Sequence, residues 1–509
     1  MPSLVRSSSF LLTGTVVFSL AIVGPVGAYE SVATAKQVTN TRNQNNMHPA
    51  LDKKAQMMVF VSNSDHASGI AVPGAGAFDH DLSGNGFANG KPAPAPQCVN
   101  CTSVDDNAGN LYLWVQKKKG DQPANSIRQL TFSSGGGMGA NQFPDISSKG
   151  SYVVWSSEDD HAGGNADGNS EIFLMKLDSG EIVQLTDTTG GSAGANTTAT
   201  IDAKANGVAF ASTRDFSGDV TCRRPDAVSG CSNPDNNREV MFFDLDNGTL
   251  TQITDTTGDG SEANRYPRIS PDGKYIAFRS TRGFSGTLTG GFTCVGNGGS
   301  PCGNDGNGEI MVFDRDDLVL KQVTNTINQS GCNGKNSSDR PEISKRAKYL
   351  VFESKCEVQL NPTGCGDCND NREVFFYAWK KEEFAQVTIS DGGYNEVPRI
   401  SDSGRYIVFE TNRDYMGLNP TRSESIYLVR RGSTKLRRSV TGAMQVEDDA
   451  TLKGSGVAQN PKTQLTTVHF SGSMPARARI ALSGSGRYLA FESSKNVGNQ
   501  EVWLVDRNR

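Results

Sequence analysis

Short apolar runs, each with an aromatic residue near its end and a small hydroxyl residue after it, recur seven times along the chain. They are Met58-Val59-Phe60-Val61-Ser62, Tyr152-Val153-Val154-Trp155-Ser156, Val208-Ala209-Phe210-Ala211-Ser212, Tyr275-Ile276-Ala277-Phe278-Arg279-Ser280, Tyr349-Leu350-Val351-Phe352-Glu353-Ser354, Tyr406-Ile407-Val408-Phe409-Glu410-Thr411 and Tyr488-Leu489-Ala490-Phe491-Glu492-Ser493. β-Branched and aromatic residues bounded by Gly, Asp and Ser predict a strand at each. A Pro-x-Ile-Ser strand lies upstream, at Pro144–Ser147, Pro267–Ser270, Pro341–Ser344 and Pro398–Ser401. Tight turns such as Ser270-Pro271-Asp272-Gly273 join the two. A strand led by Glu lies downstream, beginning at Glu171, Glu239, Glu309, Glu373 and Glu501. A Gln-apolar-Thr strand closes each unit, at Gln129, Gln184, Gln252, Gln322 and Gln386.

Four consecutive strands make one small antiparallel sheet with two apolar faces that it cannot bury alone. Stacking copies radially buries both faces, and a closed ring removes most exposed edges. The pattern therefore predicts an all-β fold: a seven-bladed β-propeller over 36–509 with four antiparallel strands per blade. The seventh repeat reaches its third strand at Glu501-Val502-Trp503-Leu504, and Lys36-Gln37-Val38-Thr39 is an additional fourth-strand copy. The ring is expected to close with this N-terminal strand completing the C-terminal blade. In the sixth repeat the fourth strand is expected over Lys435–Thr441, where Ser439-Val440-Thr441 replaces Gln-Val-Thr, with a polar insertion at about 442–472. Arg430, Arg431, Lys435, Arg437 and Arg438 there read either as an anion patch or as a charge-blunted strand edge.

These motifs resemble the TolB-like, WD-type propeller repeat, whose consensus runs Pro-x-x-Ser-Pro-Asp-Gly, Ile-Ala-Phe-x-Ser, Ile-Tyr-x-Met-Asp, Leu-Thr. The nearest copy runs from Tyr266 through Pro267-Arg268-Ile269-Ser270-Pro271-Asp272-Gly273-Lys274-Tyr275-Ile276-Ala277-Phe278 to Asp314. The resemblance covers nearly all of the chain after its leader. It implies an exported propeller of a type that hosts protein-binding scaffolds, peptidase propeller domains and lyases. TolB itself carries a separate N-terminal domain before six blades, so the resemblance does not extend to a Tol–Pal role.

Arg6, the apolar run Phe10–Val23 and the small residues Val26-Gly27-Ala28 read as a signal peptide over 1–28, cleaved after Ala28 and followed by a short leader at 29–35. The expected location is periplasmic or extracellular. Ten cysteines then read as disulfides. Cys222 and Cys231 share a loop, Cys294 and Cys302 share another, Cys98/Cys101 and Cys365/Cys368 are CxxC pairs, and Cys332 and Cys356 remain. A zinc site from the two CxxC pairs is the alternative. The net charge of −5 gives no reason to expect nucleic acid as partner. No stretch after the leader is apolar enough to cross a bilayer as a helix, and a monomer is expected.

Strand order puts the short turns on one face and the long, cysteine-bearing loops on the other, where binding usually resides. Two constellations fall on the long-loop face. Asn46, Asn141, Asn196, Asn264 and Asn395 each stand three residues before the Pro position, with Ser338 in the remaining clear repeat. They would ring the mouth of the channel and present amides to a peptide or glycan, or close their own inter-blade turns. An alternating oxygen series precedes the third strand: Asp167, Asn169, Glu171; Asp235, Asn237, Glu239; Asp305, Asn307, Glu309; and Asn369, Asn371, Glu373. Oxygen ligands at every second position suit calcium, and also suit an Asx-turn network. Asp79-His80-Asp81-Leu82-Ser83-Gly84-Asn85 resembles the first half of a calcium loop without its terminal Glu.

No complete catalytic set emerges. Asp65-His66-Ala67 and Asp160-His161-Ala162 occupy equivalent positions in adjacent repeats and are the candidates for a metal or acid–base pair. Gly190-Gly191-Ser192-Ala193-Gly194 matches a nucleophile elbow but lacks the strand–helix context. The expected function is a non-enzymatic, exported scaffold that binds an envelope protein or surface polymer through its long-loop face. The alternative is a metal-dependent polysaccharide lyase or hydrolase using His66 and His161.

Overall fold

The computed structural model describes residues 35–506 apart from 40–44, 64–96, 100–107, 118–123, 125, 134–139, 191–195, 220, 225–229, 259–263, 285–292, 297–301, 303–305, 327–337, 357, 359–370, 389, 391, 414–423, 432–436, 439–443, 446–463, 467–479 and 494–499. The chain forms seven sheets, each built on an antiparallel blade led by its innermost strand. The inner strands are Asn46–Leu51, Asn141–Ile146, Asn196–Ile201, Asn264–Ile269, Ser338–Ile343, Asn395–Ile400 and Ile480–Leu482. The expected propeller is therefore observed, with the Tyr-x-x-Phe strand second in each blade and the Glu-led strand third.

The repeated Ser at the end of each Pro-x-Ile-Ser strand builds the short turns. Ser270, Ser344, Ser401 and Ser483 accept a hydrogen bond through Oγ from the backbone N–H of the Tyr five residues on, at 3.1, 2.9, 3.1 and 3.0 Å. Gly273, Gly404 and Gly486 take left-handed backbone there, with φ of 77°, 69° and 71°.

Both faces of a blade are apolar because both are covered. Val61, Leu111 and Leu113 of blade one pack with Val153, Trp155 and Phe173 of blade two. Val154, Ile172 and Leu174, on the other face of blade two, pack with Ala199, Ile201 and Phe210 of blade three.

The ring closes as expected. Ala35–Gln37 pairs antiparallel with the third strand of blade seven, Ala35 opposite Val505 and Gln37 opposite Trp503. Val38 N–H donates to Val502 O at 2.8 Å, and Val502 N–H donates to Thr39 Oγ1 at 2.9 Å. Val38 is fully buried between blades seven and one, among Val502, Leu504, Met58 and Phe60.

Blade six departs from expectation. Its fourth strand is Gln464–Thr466, paired with Ser425–Arg430, not a segment within 435–441. Arg437–Arg438 instead pairs with Met444–Gln445, which extends blade five beside Glu383–Gln386. Two segments fit the Gln/Ser-apolar-Thr pattern, and the later one, inside the expected insertion, takes the position. The outer edges also carry strands that the pattern did not predict. Gln97–Val99 runs parallel to Ser126–Gln129, and Thr293–Gly296 runs parallel to Val319–Gln322. Long loops thus fold back over exposed edges and supply partners for open N–H and C=O groups.

Disulfides join Cys222 to Cys231 and Cys294 to Cys302, with Cα–Cα distances of 5.6 and 5.8 Å. Cys98 lies in the added edge strand of blade one. Cys101, Cys332, Cys365 and Cys368 lie outside the described residues, and Cys356 is buried. Among the described residues no helix is long and apolar enough to cross a membrane.

Candidate functional site

The two oxygen-rich constellations on the long-loop face meet. Glu239 Oε1 accepts from Thr256 N–H at 2.8 Å and Thr256 Oγ1 at 2.7 Å, and its Oε2 accepts from Thr254 Oγ1 and from Asn264 Nδ2 of the next blade at 3.0 Å. Glu171 repeats this with Thr188, Thr186 and Asn196, the last at 2.9 Å. Glu373 and Asn395 meet at 3.0 Å, and Glu501 and Asn46 at 3.0 Å. In blade one Asn110 stands in for the Glu, taking Thr131 and Ser133, while Asn141 turns to Ser133 Oγ at 2.7 Å. A latch of Thr, Glu and Asn therefore joins each of these blades to the next.

This geometry locates the candidate ligand residues. Asn46, Asn141, Asn196, Asn264 and Asn395 are fully buried, with their amides engaged inside blade junctions and not facing an open mouth. The oxygen series divides. Glu171, Glu239 and Glu309 enter the latch, whereas Asn169, Asn237 and Asn307 donate to the backbone oxygens of Thr188, Thr256 and Thr326. Asp167 and Asp235 accept from Gly190 and Gly258 N–H at 3.1 and 2.7 Å. Asp305 lies outside the described residues. Among the described residues, no group of three or more His, Cys, Asp or Glu is arranged to hold a metal ion. Burial raises Glu171 and Glu239 to about 7 against the pull of their hydroxyl and amide donors.

His161 is built into the same framework. Its Nε2 stands 2.8 Å from Asn141 Oδ1 and 3.0 Å from Ser157 Oγ. Asn141 Oδ1 also accepts from Trp155 Nε1 at 2.9 Å, and the imidazole packs edge-on to Trp155 and Phe173. Burial holds His161 below its usual range, while Asp159 and Asp160 oppose the shift. His66 and the segment 79–85 lie outside the described residues.

A second feature recurs in the inner strands. In six inner strands the pairing register slips by one residue at the same place, between Met47/Ala50, Gln142/Asp145, Thr197/Thr200, Arg265/Arg268, Asp339/Glu342 and Glu396/Arg399. The residue at the slip adopts left-handed backbone: His48, Phe143, Thr198, Tyr266, Arg340 and Val397, with φ of 56°, 55°, 54°, 53°, 49° and 53°. Non-glycine residues pay a penalty of about 1–2 kcal/mol each in that region. The Pro that follows in five of these strands was the available clue, because a bulge suits a residue with no N–H to donate.

The bulges fall at the same register position of six inner strands, where five side chains are partly exposed and Val397 is buried. His48 lies 4.8 Å from the Phe143 ring, and the Arg340 guanidinium lies 5.7 Å from the Tyr266 ring. Phe143, Thr198 and Tyr266 help line a cavity of about 140 Å³ to which all seven inner strands contribute. Its charged lining is Asp145, Arg268, Glu342 and Arg399. Glu342 bridges the two arginines at 3.3 and 3.6 Å, and burial draws Arg399 down to about 10.

Similarity to known proteins is confined to fold. No protein-family model and no curated protein matches this sequence. Among solved structures, an oligogalacturonate lyase in complex with manganese aligns at 12% identity and a TM-score of 0.46, covering 94% of this chain and 97% of that one. The β-propeller domain of the trilobed protease from Pyrococcus furiosus aligns at 8% identity and TM-score 0.43, covering 91% and 95%. TolB from Acinetobacter baumannii aligns at 15% identity and TM-score 0.34, covering 63% and 57%. The chain is a seven-bladed β-propeller with TolB-like proteins among its structural neighbours.

Proposed function

We propose that this chain is an exported, non-enzymatic scaffold that binds an envelope protein or surface polymer at the long-loop mouth of its channel. The observation that carries this reading is the ring of six bulged residues. Strained backbone persists where the surrounding structure over-determines it, and such strain clusters at ligand-contacting sites. The partly exposed side chains among them are two aromatics, a histidine, an arginine and a threonine, a mixture suited to recognition of a chemically varied surface and not to one reaction. Two disulfides are compatible with an exported location and with the signal peptide proposed for residues 1–28. His161, tied to Asn141 and Ser157, acts in this reading as part of the framework.

The test is capture from envelope extract on immobilised wild-type protein, beside the Phe143→Ala/Tyr266→Ala double variant and the His161→Ala variant. A partner retained by wild type and by His161→Ala, and lost from the double variant, supports the reading. Turnover of a polymer that His161→Ala abolishes would replace it with the lyase or hydrolase alternative.

A further inference from the structure

We propose that Glu410 and Glu424, at the long-loop mouth between blades five, six and seven, form a receptor for an arginine side chain of a partner protein. The proposal rests on the scaffold reading above and names the chemistry of its partner.

Carboxylates crowd this part of the mouth. Glu396 and Glu410 stand directly opposite one another on neighbouring strands, a placement that destabilises a pair of like charges. Glu353 and Glu492 come from the equivalent second-strand positions of blades five and seven. Glu424 leads into the third strand of blade six. Among the described residues, Arg340 and Arg372 are committed to other carboxylates. Arg372 pairs with Glu353 and, at 3.4 Å, with Glu396. Arg340 reaches the same two carboxylates at 4.0 and 3.9 Å. Val397 N–H donates to Glu353 at 2.7 Å, and His48 N–H donates to Glu492 at 2.6 Å. Tyr394 Oη donates to Glu424 Oε1 at 2.5 Å.

What remains is unmatched. Glu410 is 3% exposed and its Oε2 has no hydrogen-bond partner among the described residues. Glu424 Oε2 is buried and likewise without one. No described ion pair includes either residue, and a buried acceptor left unmade is costly. A protein gains nothing from two such groups side by side unless something arrives to satisfy them. The missing component is a cation with several N–H donors. Among the described residues the carboxylates do not assemble into a metal-holding group. A guanidinium carries five donors in a planar fork and sheds water more readily than an ammonium, so it can serve two carboxylates at once.

Burial, then Glu424 and Glu396, raise Glu410 well above the usual carboxylate range, while Arg340 opposes them. The groups facing it are Glu424, Glu396, Glu492 and Arg340. An arriving guanidinium favours the ionised carboxylate, so binding should expel a proton and strengthen as pH rises.

The probe is a short Gly/Ser peptide with one central arginine. Its controls are the same peptide with citrulline, a neutral near-isostere, and a glucosamine tetramer as a polymer-borne amine. Calorimetry on the full chain at low salt should show the arginine peptide binding about tenfold more tightly than the citrulline peptide. Affinity should rise from pH 5 to pH 8 with proton release, measured in buffers of differing ionisation enthalpy. Glu410→Gln with Glu424→Gln should abolish the preference. Glu410→Gln alone should raise the melting temperature of the unliganded protein, a gain that a merely structural carboxylate would not give. Equal binding of the arginine and citrulline peptides, a preference that survives in the double variant, or binding of the glucosamine tetramer alone would each overturn the proposal. None of these outcomes bears on capture through Phe143 and Tyr266, so the scaffold reading fails or stands separately.

Discussion

Asn264→Ala removes one arm of a blade-to-blade latch without touching the apolar interface beside it. The Asn264 amide donates to Arg238 O at 2.8 Å, Glu239 Oε2 at 3.0 Å and Thr256 Oγ1 at 3.0 Å, with its side chain fully buried. A net hydrogen bond to a neutral acceptor contributes about 1 kcal/mol and one to a charged group about 1.5–3 kcal/mol. The three share one amide and do not add fully, so the expected loss is about 3 kcal/mol. Alanine leaves the Glu239 carboxylate and the Arg238 carbonyl buried with fewer donors, which keeps the loss from being smaller. Urea unfolding at pH 7.5, followed by tryptophan fluorescence, measures it as a lowered midpoint at unchanged slope. Repeating the series in calcium and in chelator separates the latch from a cation site. A bound ion would move the midpoint with its concentration, whereas a latch made only of protein groups would not. A variant within about 0.5 kcal/mol of wild type, the scatter of ordinary surface substitutions, would refute the latch, and a calcium-dependent midpoint would return the Asp235 series to the cation reading.

Stability should fall as pH rises from about 4.5 to about 7. Glu171 and Glu239 ionise near 4.5 when unfolded and near 7 when folded, so across that window the folded chain holds protons the unfolded chain has lost. Each contributes up to about 3 kcal/mol, His161 gives the opposite slope as pH falls below its ordinary 6.5, and unfolding at pH 5, 6, 7 and 8 that rose steadily instead would contradict the assignment. Val38→Ala should cost about 2 kcal/mol by emptying space between blades seven and one, and an unchanged urea midpoint would mean that the N-terminal strand does not hold the ring shut. Replacing Cys222 and Cys231 with serine opens a loop of sequence separation 9 and should lower stability by about 2–3 kcal/mol on the chain-entropy account, read as a drop in melting temperature that reducing agent reproduces in the wild type.

The repeat was legible because strand formation and blade stacking are local and periodic. Apolar residues at Val153 and Trp155 face one neighbour while Val154 faces the other, and no fold but a ring satisfies that pattern seven times with a spare Gln37-Val38-Thr39 strand. Other features depended on distances that no window along the chain contains. Ser439-Val440-Thr441 and Gln464-Leu465-Thr466 are comparable strands by composition, and the pairing of Tyr427 with Gln464 is visible only in the folded chain. The Asn and Glu series looked like separate binding sets because their contact lies across a blade boundary, 25 residues apart from Glu239 to Asn264 and 455 apart from Glu501 to Asn46. The bulges at Phe143 and Tyr266 lay hidden because a β-strand pattern does not record which residue turns left-handed. The unpartnered Glu410 carboxyl oxygen is likewise a tertiary fact, since each Glu in the Tyr-x-x-Phe-Glu motif is alike in sequence. Arg340 and Arg372, brought by folding into ion pairs with Glu353 and Glu396 but not with Glu410, made the difference. Periodicity sets which residues form strands, whereas charge balance depends on which strands meet.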